Sequence, residues 1–271
     1  MLSFDSIGMR PPYTVTAEIL HLLPAIGERI GAVNAAHLQR PTAVLRRKNR
    51  IRTILGTLAI EGNVLSEDQV TAVLEGKRIA AKPRELLEVT NAITAYERAS
   101  MWDAFSVKHF RAAHGILMSG LVPDAGCFRT KAVGVMRGKR LAHLAPPAHS
   151  VPTGINDLFK YAKNDQDPLL IKSCVVHYEV EFIHPFSDGN GRMGRLWQTL
   201  LLMRYSPVFA YLPVEALVRD QQEEYYKALA VSDRSGDAHA FIVFMLKLVV
   251  SALDELLGAQ RPLLDTAGRM A

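Results

Sequence analysis

Twelve consecutive residues, His184 to Arg195 (HPFSDGNGRMGR), bring together an imidazole, a carboxylate, three glycines and two guanidinium groups. Together they fit chemistry at a phosphate. His184 titrates in the range needed to take a proton from an attacking hydroxyl. Asp188 is a hard oxygen ligand, suited to Mg2+ bridging a carboxylate and a phosphate. Gly189 and Gly191 bracket Asn190, and glycines let backbone N–H groups curl around an anion. Leu196, Leu200 and Leu201 follow at helical spacing, so this loop feeds a helix start, where unpaired N–H donors and the positive end of the helix dipole attract anions. Arg192 and Arg195 share one helix face about 4.5 Å apart along the axis, which suits two successive phosphates, and the guanidinium fork matches phosphate oxygens. Phe186 reads as a core plug beneath the loop.

Two other nucleotide signatures fit the sequence less well. Gly189-Asn-Gly191-Arg-Met-Gly194 matches the glycine pattern of dinucleotide-binding folds, and Glu215 stands 21 residues beyond Gly194. No alternating strand and helix pattern surrounds it, however, and that fold gives Asp188 and Arg192 no work. The glycine-lysine phosphate loop of P-loop proteins does not occur.

Helical periodicity must position the loop. Thr16 is placed to cap a first helix, with Pro24 a kink. A second helix spans about Thr42–Ile60, and Ser66 opens a third with Glu67 and Asp68 at its positive end. Further helices are expected over Arg84–Ser100, Ser106–Leu117, Gly154–Lys163, Pro168–Phe182, Asn190–Arg204, Glu215–Val231 and Ala238–Leu257. Lys131–Leu144 differs: Val133, Val135 and Leu141 flank Arg137-Gly138-Lys139, which predicts a β-hairpin.

The residues of the loop resemble the Fic family, whose motif reads HxFx(D/E)GNGRxxR. His184, Phe186, Asp188, Gly189, Asn190, Gly191, Arg192 and Arg195 fill every fixed position. The resemblance implies a mostly α Fic fold, a helical bundle with a small β-hairpin flap. It divides the chain into an N-terminal helical region with an inhibitory helix (1–65) and a catalytic core with C-terminal helices (66–271). The implied activity is AMP transfer from ATP to a Ser, Thr or Tyr hydroxyl of a target protein. His184 is then the general base, Asp188 the Mg2+ ligand, Gly189 to Arg192 the phosphate cradle, and Arg195 the γ-phosphate residue. LGTLAIEGN, with Thr57, Glu61 and Gly62, resembles the inhibitory helix of class II relatives; Glu61 is expected to form a bidentate pair with Arg195 and misplace the phosphates. The hairpin resembles the family's flap, which takes the target as an added strand, with Leu141, Ala142, His143 and Leu144 bordering the nucleotide. Tyr225 and Tyr226 are candidates for the adenine side; Asp233 stands where relatives often carry Asn. Rival readings are removal of AMP by the same site, use of another nucleotide donor, and a non-enzymatic nucleotide- or DNA-binding regulator.

The 271 residues, 49% hydrophobic and 22% charged, describe an ordinary globular chain. Cys127 and Cys174 have no CxxC spacing, which argues against a disulfide scaffold or a cysteine zinc site. His109, His114 and His177 suggest no metal site. The start shows no secretory pattern, and the most apolar run, Phe241–Leu257, is interrupted by Lys247, Asp254 and Glu255, so no membrane span is expected. A cytoplasmic location is expected, with a homodimer as a possible assembly. The net charge of +5 concentrates in Arg40–Arg52, which has six basic residues and no acid. Val44, Leu45, Ile51 and Ile54 at helical spacing are expected to leave a buried side, so this run reads as a solvated helix face. The chain ends before a C-terminal winged-helix module, so nucleic acid is not the expected partner.

Overall fold

The computed structural model describes residues 10–36, 42–137 and 140–267, with side chains except those of 135–142 and 259–267. The expected hairpin tip at Gly138 and Lys139, Arg40 of the basic run, and the side chains of Leu141 and Ala142 lie outside the described residues. Thirteen elements follow in order: α1 (Ala17–Ala35), α2 (Ala43–Ile60), α3 (Glu67–Leu74), α4 (Pro83–Glu97), α5 (Val107–Leu117), β1 (Gly134–Arg137), β2 (Arg140–Leu144), α6 (Val151–Asn164), α7 (Leu169–Ile183), α8 (Asn190–Tyr205), α9 (Val214–Asp220), α10 (Gln222–Ser235) and α11 (His239–Ala267). The fold is mostly α, as expected.

Apolar patterning explains the layering. In α7, residues 170–178 are buried all round, as befits a central helix. Its antiparallel neighbour α8 buries Met193, Leu196, Trp197, Leu200 and Leu201. The remaining helices wrap this pair, with α1 on α11 and α2 on α9. One hydrophobic cluster runs from Ile19 in α1 to Leu256 in α11. Gly56 permits the α2–α9 approach: a Cβ there would lie 2.6 Å from the backbone nitrogen of Ala216. Beneath the α7–α8 loop, Phe110 meets Trp197 edge-on at 5.0 Å and Phe186 at 5.3 Å. Such pairs contribute about 0.5–1.5 kcal/mol each beyond their burial.

Several boundaries differ from expectation. Ser66 forms a full capping box with Gln69, but Thr16 makes no side-chain cap bond and α1 continues through Pro24. The segment expected as one helix from Glu215 to Val231 divides at Gln221, whose backbone (φ −118°, ψ 40°) leaves the helical region; no Gly or Pro marks that break. The hairpin pairs Gly134 with Leu144 and Val135 with His143, then shifts register between Val135 and Met136.

Candidate active site

The site is built on the six-residue turn between α7 and α8, His184 to Gly189. His184 ends α7 in the left-handed region (φ 50°, ψ 61°), the one described non-glycine residue with positive φ. Holding a residue there costs on the order of 1–3 kcal/mol, so the surroundings must fix it. Arg129 does much of that fixing. It is 4% exposed, and its guanidinium donates from Nε to the His184 carbonyl at 2.7 Å, from Nη1 to that of Lys131 at 2.8 Å, and from Nη2 to those of Pro146 and Ile183. Asn190 closes the turn: its Oδ1 accepts from the Phe186 N–H at 2.9 Å and its Nδ2 donates to the Phe186 carbonyl at 3.0 Å. Phe186 is fully buried, as expected of a plug, and stacks on His114 at 3.6 Å. His114 accepts from the Gly126 N–H at Nδ1, so its Nε2 carries the proton donated to the Asp188 carbonyl at 3.0 Å.

His184 is arranged to act as a base. Its Nδ1 lies 3.3 Å from the Glu181 carbonyl, an acceptor only, so the proton sits on Nδ1 and Nε2 keeps its lone pair. Burial lowers its pKa to about 4, outweighing that carbonyl's pull, so the ring is neutral at pH 7.

Around the start of α8, Arg192 and Arg195 meet three carboxyl groups, those of Asp188, Glu61 and Glu181. Gly189, at φ +83°, turns the chain into the helix, and a Cβ there would press on Met118 Sδ at 2.6 Å. The Gly189 N–H already donates to Asp188 Oδ1 at 2.6 Å. The N–H groups of Asn190, Gly191 and Arg192 therefore form the anion-facing first turn. The Asn190 side chain is spent on Phe186, so what Asn190 can offer an anion is its backbone N–H. Arg192 is 3% exposed; Nη2 reaches Asp188 Oδ1 at 3.3 Å, and Nε is buried with no partner. An orphaned buried donor of this kind fits a phosphate oxygen.

Arg195, also 3% exposed, has its fork occupied. Nη2 donates to Glu61 Oε1 at 2.6 Å and to the Thr57 carbonyl at 3.1 Å, while Nε donates to Thr57 Oγ1 at 3.1 Å. The expected bidentate pair is thus replaced by a single-oxygen contact from Nη2, which also serves the Thr57 carbonyl, while Nε is turned to the Thr57 hydroxyl. Burial works against the charge, but Glu61 and the nearby Tyr225 and Glu181 raise the guanidinium's pKa above its ordinary value. Three charged atoms converge above Gly191: a Cβ there would lie 2.8 Å from Glu61 Oε1 and 3.1 Å from both Arg195 Nη1 and Glu181 Oε1. Burial, with Glu61 close by, raises the Glu181 carboxyl to about 7 despite Arg195.

Asp188 is 43% exposed at its side chain, and its Oδ2 stands 3.8 Å from Arg84 Nη2. Among the described residues no group of three or more His, Cys, Asp or Glu could hold a metal. One open carboxylate beside an anion cradle fits Mg2+, which takes few protein ligands and fills its shell with water and phosphate oxygens. It does not fit an ion caged by protein alone.

The outer candidates divide. His143 fastens the flap to α7: Nε2 donates to the Phe182 carbonyl at 2.8 Å, and Nδ1 lies 3.6 Å from Asp233 Oδ2. Asp233 also accepts from the Tyr178 hydroxyl at 3.0 Å. Leu144 is 70% exposed at the hairpin's end. Tyr225 is 1% exposed, with its hydroxyl 3.0 Å from His177 Nε2 and 3.2 Å from Glu181 Oε1. It packs as a core residue behind Glu181 rather than as a wall for a base; Tyr226 beside it is half-buried.

Arg129, His114 and Glu181 were not anticipated. Glu181 left a trace, a carboxylate inside the apolar α7 one turn before His184. Arg129 and His114 act through backbone carbonyls distant in sequence, which no local pattern announces.

Residues 104–202 match the Fic/DOC family. The chain is 50% identical to a Fic family protein of known structure from Desulfovibrio desulfuricans G20, with a TM-score of 0.89 over 93% of this chain and 78% of that one. It is 30% identical to the protein adenylyltransferase fic-1 of Caenorhabditis elegans, over 83% of this chain and 45% of that protein. A solved structure of Fic-1 from C. elegans shares the fold, at 23% identity and a TM-score of 0.70 over 91% of this chain and 76% of that one. The chain spans about half the length of the curated relatives it matches. No described helix is long and apolar enough to cross a membrane.

Proposed function

Since this chain belongs to the Fic family, we propose that its α7–α8 loop transfers AMP from ATP to a Ser, Thr or Tyr hydroxyl of another protein, and that Glu61 restrains the transfer. The observation that carries the reading is Arg192, a buried guanidinium with an unpaired Nε beside the open first turn of α8. A buried cation with an unused donor suits a polyphosphate oxygen.

Nε2 of His184 accepts the proton of the incoming hydroxyl. The oxygen attacks the α-phosphorus, the bond to the bridging oxygen breaks, and pyrophosphate leaves. The first-turn N–H groups and Arg192 face the charge that develops. Asp188 would hold Mg2+, which when bound neutralises phosphate charge. Arg195 is the cation for the outer phosphate, and Glu61 occupies it. With that fork taken, ATP loses the contact that aligns its α-phosphorus, and alignment governs the rate. The target segment would add to the edge of the β1–β2 hairpin as a further strand.

Transfer of label from α-labelled ATP in the presence of Mg2+ tests this. Glu61→Gly is expected to raise labelling of added proteins above wild type, and adding His184→Ala to lower it by about 10²–10⁴, the range for a general base. γ-Labelled ATP should leave no label. No rise in Glu61→Gly would remove the restraint, and label arriving from the γ-position would replace AMP transfer with phosphorylation.

A further inference from the structure

The basic run of α2 has no part in the loop's chemistry. It is not a loose charged face: Arg47 pairs with Glu75, Arg50 with Glu97, and Arg52 Nη1 with Glu255 Oε2 at 3.0 Å. Arg46, Arg47 and Arg50 instead line a cavity of about 540 Å3 between α2, the ends of α3 and α4, and α8. That volume falls within the range of small-ligand sites. We propose that this cavity binds a phosphate-bearing small molecule, and that its occupancy stabilises the Glu61–Arg195 contact.

The chemistry of the rim selects the ligand. Three guanidinium groups at positions i, i+1 and i+4 present a fan of donors, and Arg46 also lies over the Tyr211 ring at 5.9 Å. Two carboxylates, Glu75 and Glu97, already engage Arg47 and Arg50, so a ligand carboxylate offers these arginines nothing they lack. A phosphate brings about −1.5 to −2 of charge and three acceptor oxygens, enough to compete with the resident glutamates. Tyr96 and Tyr211 add aromatic wall for the organic part of such a ligand.

Position selects the consequence. Thr53 of α2 and Thr199 of α8 both line the cavity. One turn along α2 from Thr53 is Thr57, which holds Arg195; one turn back along α8 from Thr199 is Arg195 itself. The cavity therefore lies between the two helices that carry the halves of the contact, and it is open while the contact is made. A ligand that binds this arrangement shifts the population toward it. The regulatory half rests on the proposed restraint by Glu61; the binding half does not.

Inorganic phosphate is the probe, followed by titration calorimetry and thermal shift. Arg192→Ala removes the competing anion site in the loop. In that variant phosphate should still bind and raise Tm, and adding Arg46→Ala and Arg50→Ala should weaken binding at least tenfold. Arg46→Gln, which keeps both ion pairs with glutamate, should weaken it in the same direction, guarding against a folding defect. Phosphate should also lower AMP transfer by wild type while leaving Glu61→Gly with Arg46→Ala and Glu61→Gly alone equally affected. Loss of all phosphate binding in Arg192→Ala, or binding indifferent to Arg46 and Arg50, would overturn the site. Binding at the arginines without any effect specific to Glu61-containing protein would overturn the coupling. Failure of Glu61→Gly to transfer AMP at all would count against the proposed function and leave the binding result standing.

Discussion

His184 and Asn190 show how one turn is held in two ways, by a strained residue and by a side chain that substitutes for secondary structure. Asn190 satisfies both the N–H and the C=O of buried Phe186. Asn190→Ala leaves both without partners, at about 1–3 kcal/mol for each orphaned group. It is expected to lower the urea midpoint and, in the Glu61→Gly background, to reduce AMP transfer. Glu181 gives a pH prediction. Its folded pKa is raised to about 7 from an ordinary carboxylate value, so the folded state binds a proton that the unfolded state releases at lower pH. The stability this confers is fully present below the ordinary carboxyl pKa of 4.5 and is lost progressively as pH rises from there through about 7. Glu181→Gln should therefore gain on wild type between pH 5 and pH 8, by at most about 1.4 kcal/mol per pH unit, read from urea unfolding at the two pH values. An unchanged difference would mean that Glu181 is ionised throughout. The chemical residues from His184 to Arg195 were legible because their types and spacing are contiguous. Arg129 was not, because its four acceptors are backbone oxygens brought together by folding.

At the scale of elements, α2 is the part whose placement matters most. Its C-terminal end carries Glu61, and its middle lies against α9 through Gly56. Gly56→Ala puts a methyl group against the backbone of Glu215 and Ala216, which cannot yield as a side chain would. Overpacking of this kind typically costs about 1–3 kcal/mol. Tm is expected to fall, and AMP transfer to rise as α2 is pushed from α9 and Glu61 from Arg195. Lower Tm with unchanged transfer would separate helix placement from the restraint. The periodicity of α2, α7 and α8 was readable from sequence, because each buries a face or its whole girth. The α9–α10 break was not: Gln221 carries no turn chemistry, and only the packing of the two segments against α2 and α11 bends the chain there.

Across the whole molecule, the N-terminal helices and the loop-bearing core share one hydrophobic cluster, so the helices that carry Glu61 and Arg195 are held by the same packing. Glu61 and Arg195 are 134 positions apart in sequence and 2.6 Å apart in space. That contact was expected only through resemblance, since no periodicity links residues so distant. Intact-mass spectrometry of purified Glu61→Gly after incubation with ATP and Mg2+, beside wild type and the Glu61→Gly, His184→Ala double variant, tests the account at its centre. Freed Arg195 with His184 in place should add the mass of AMP to the protein itself, and neither comparison protein should carry it to the same extent. Equal modification of wild type and Glu61→Gly, or modification that survives loss of His184, would contradict the account.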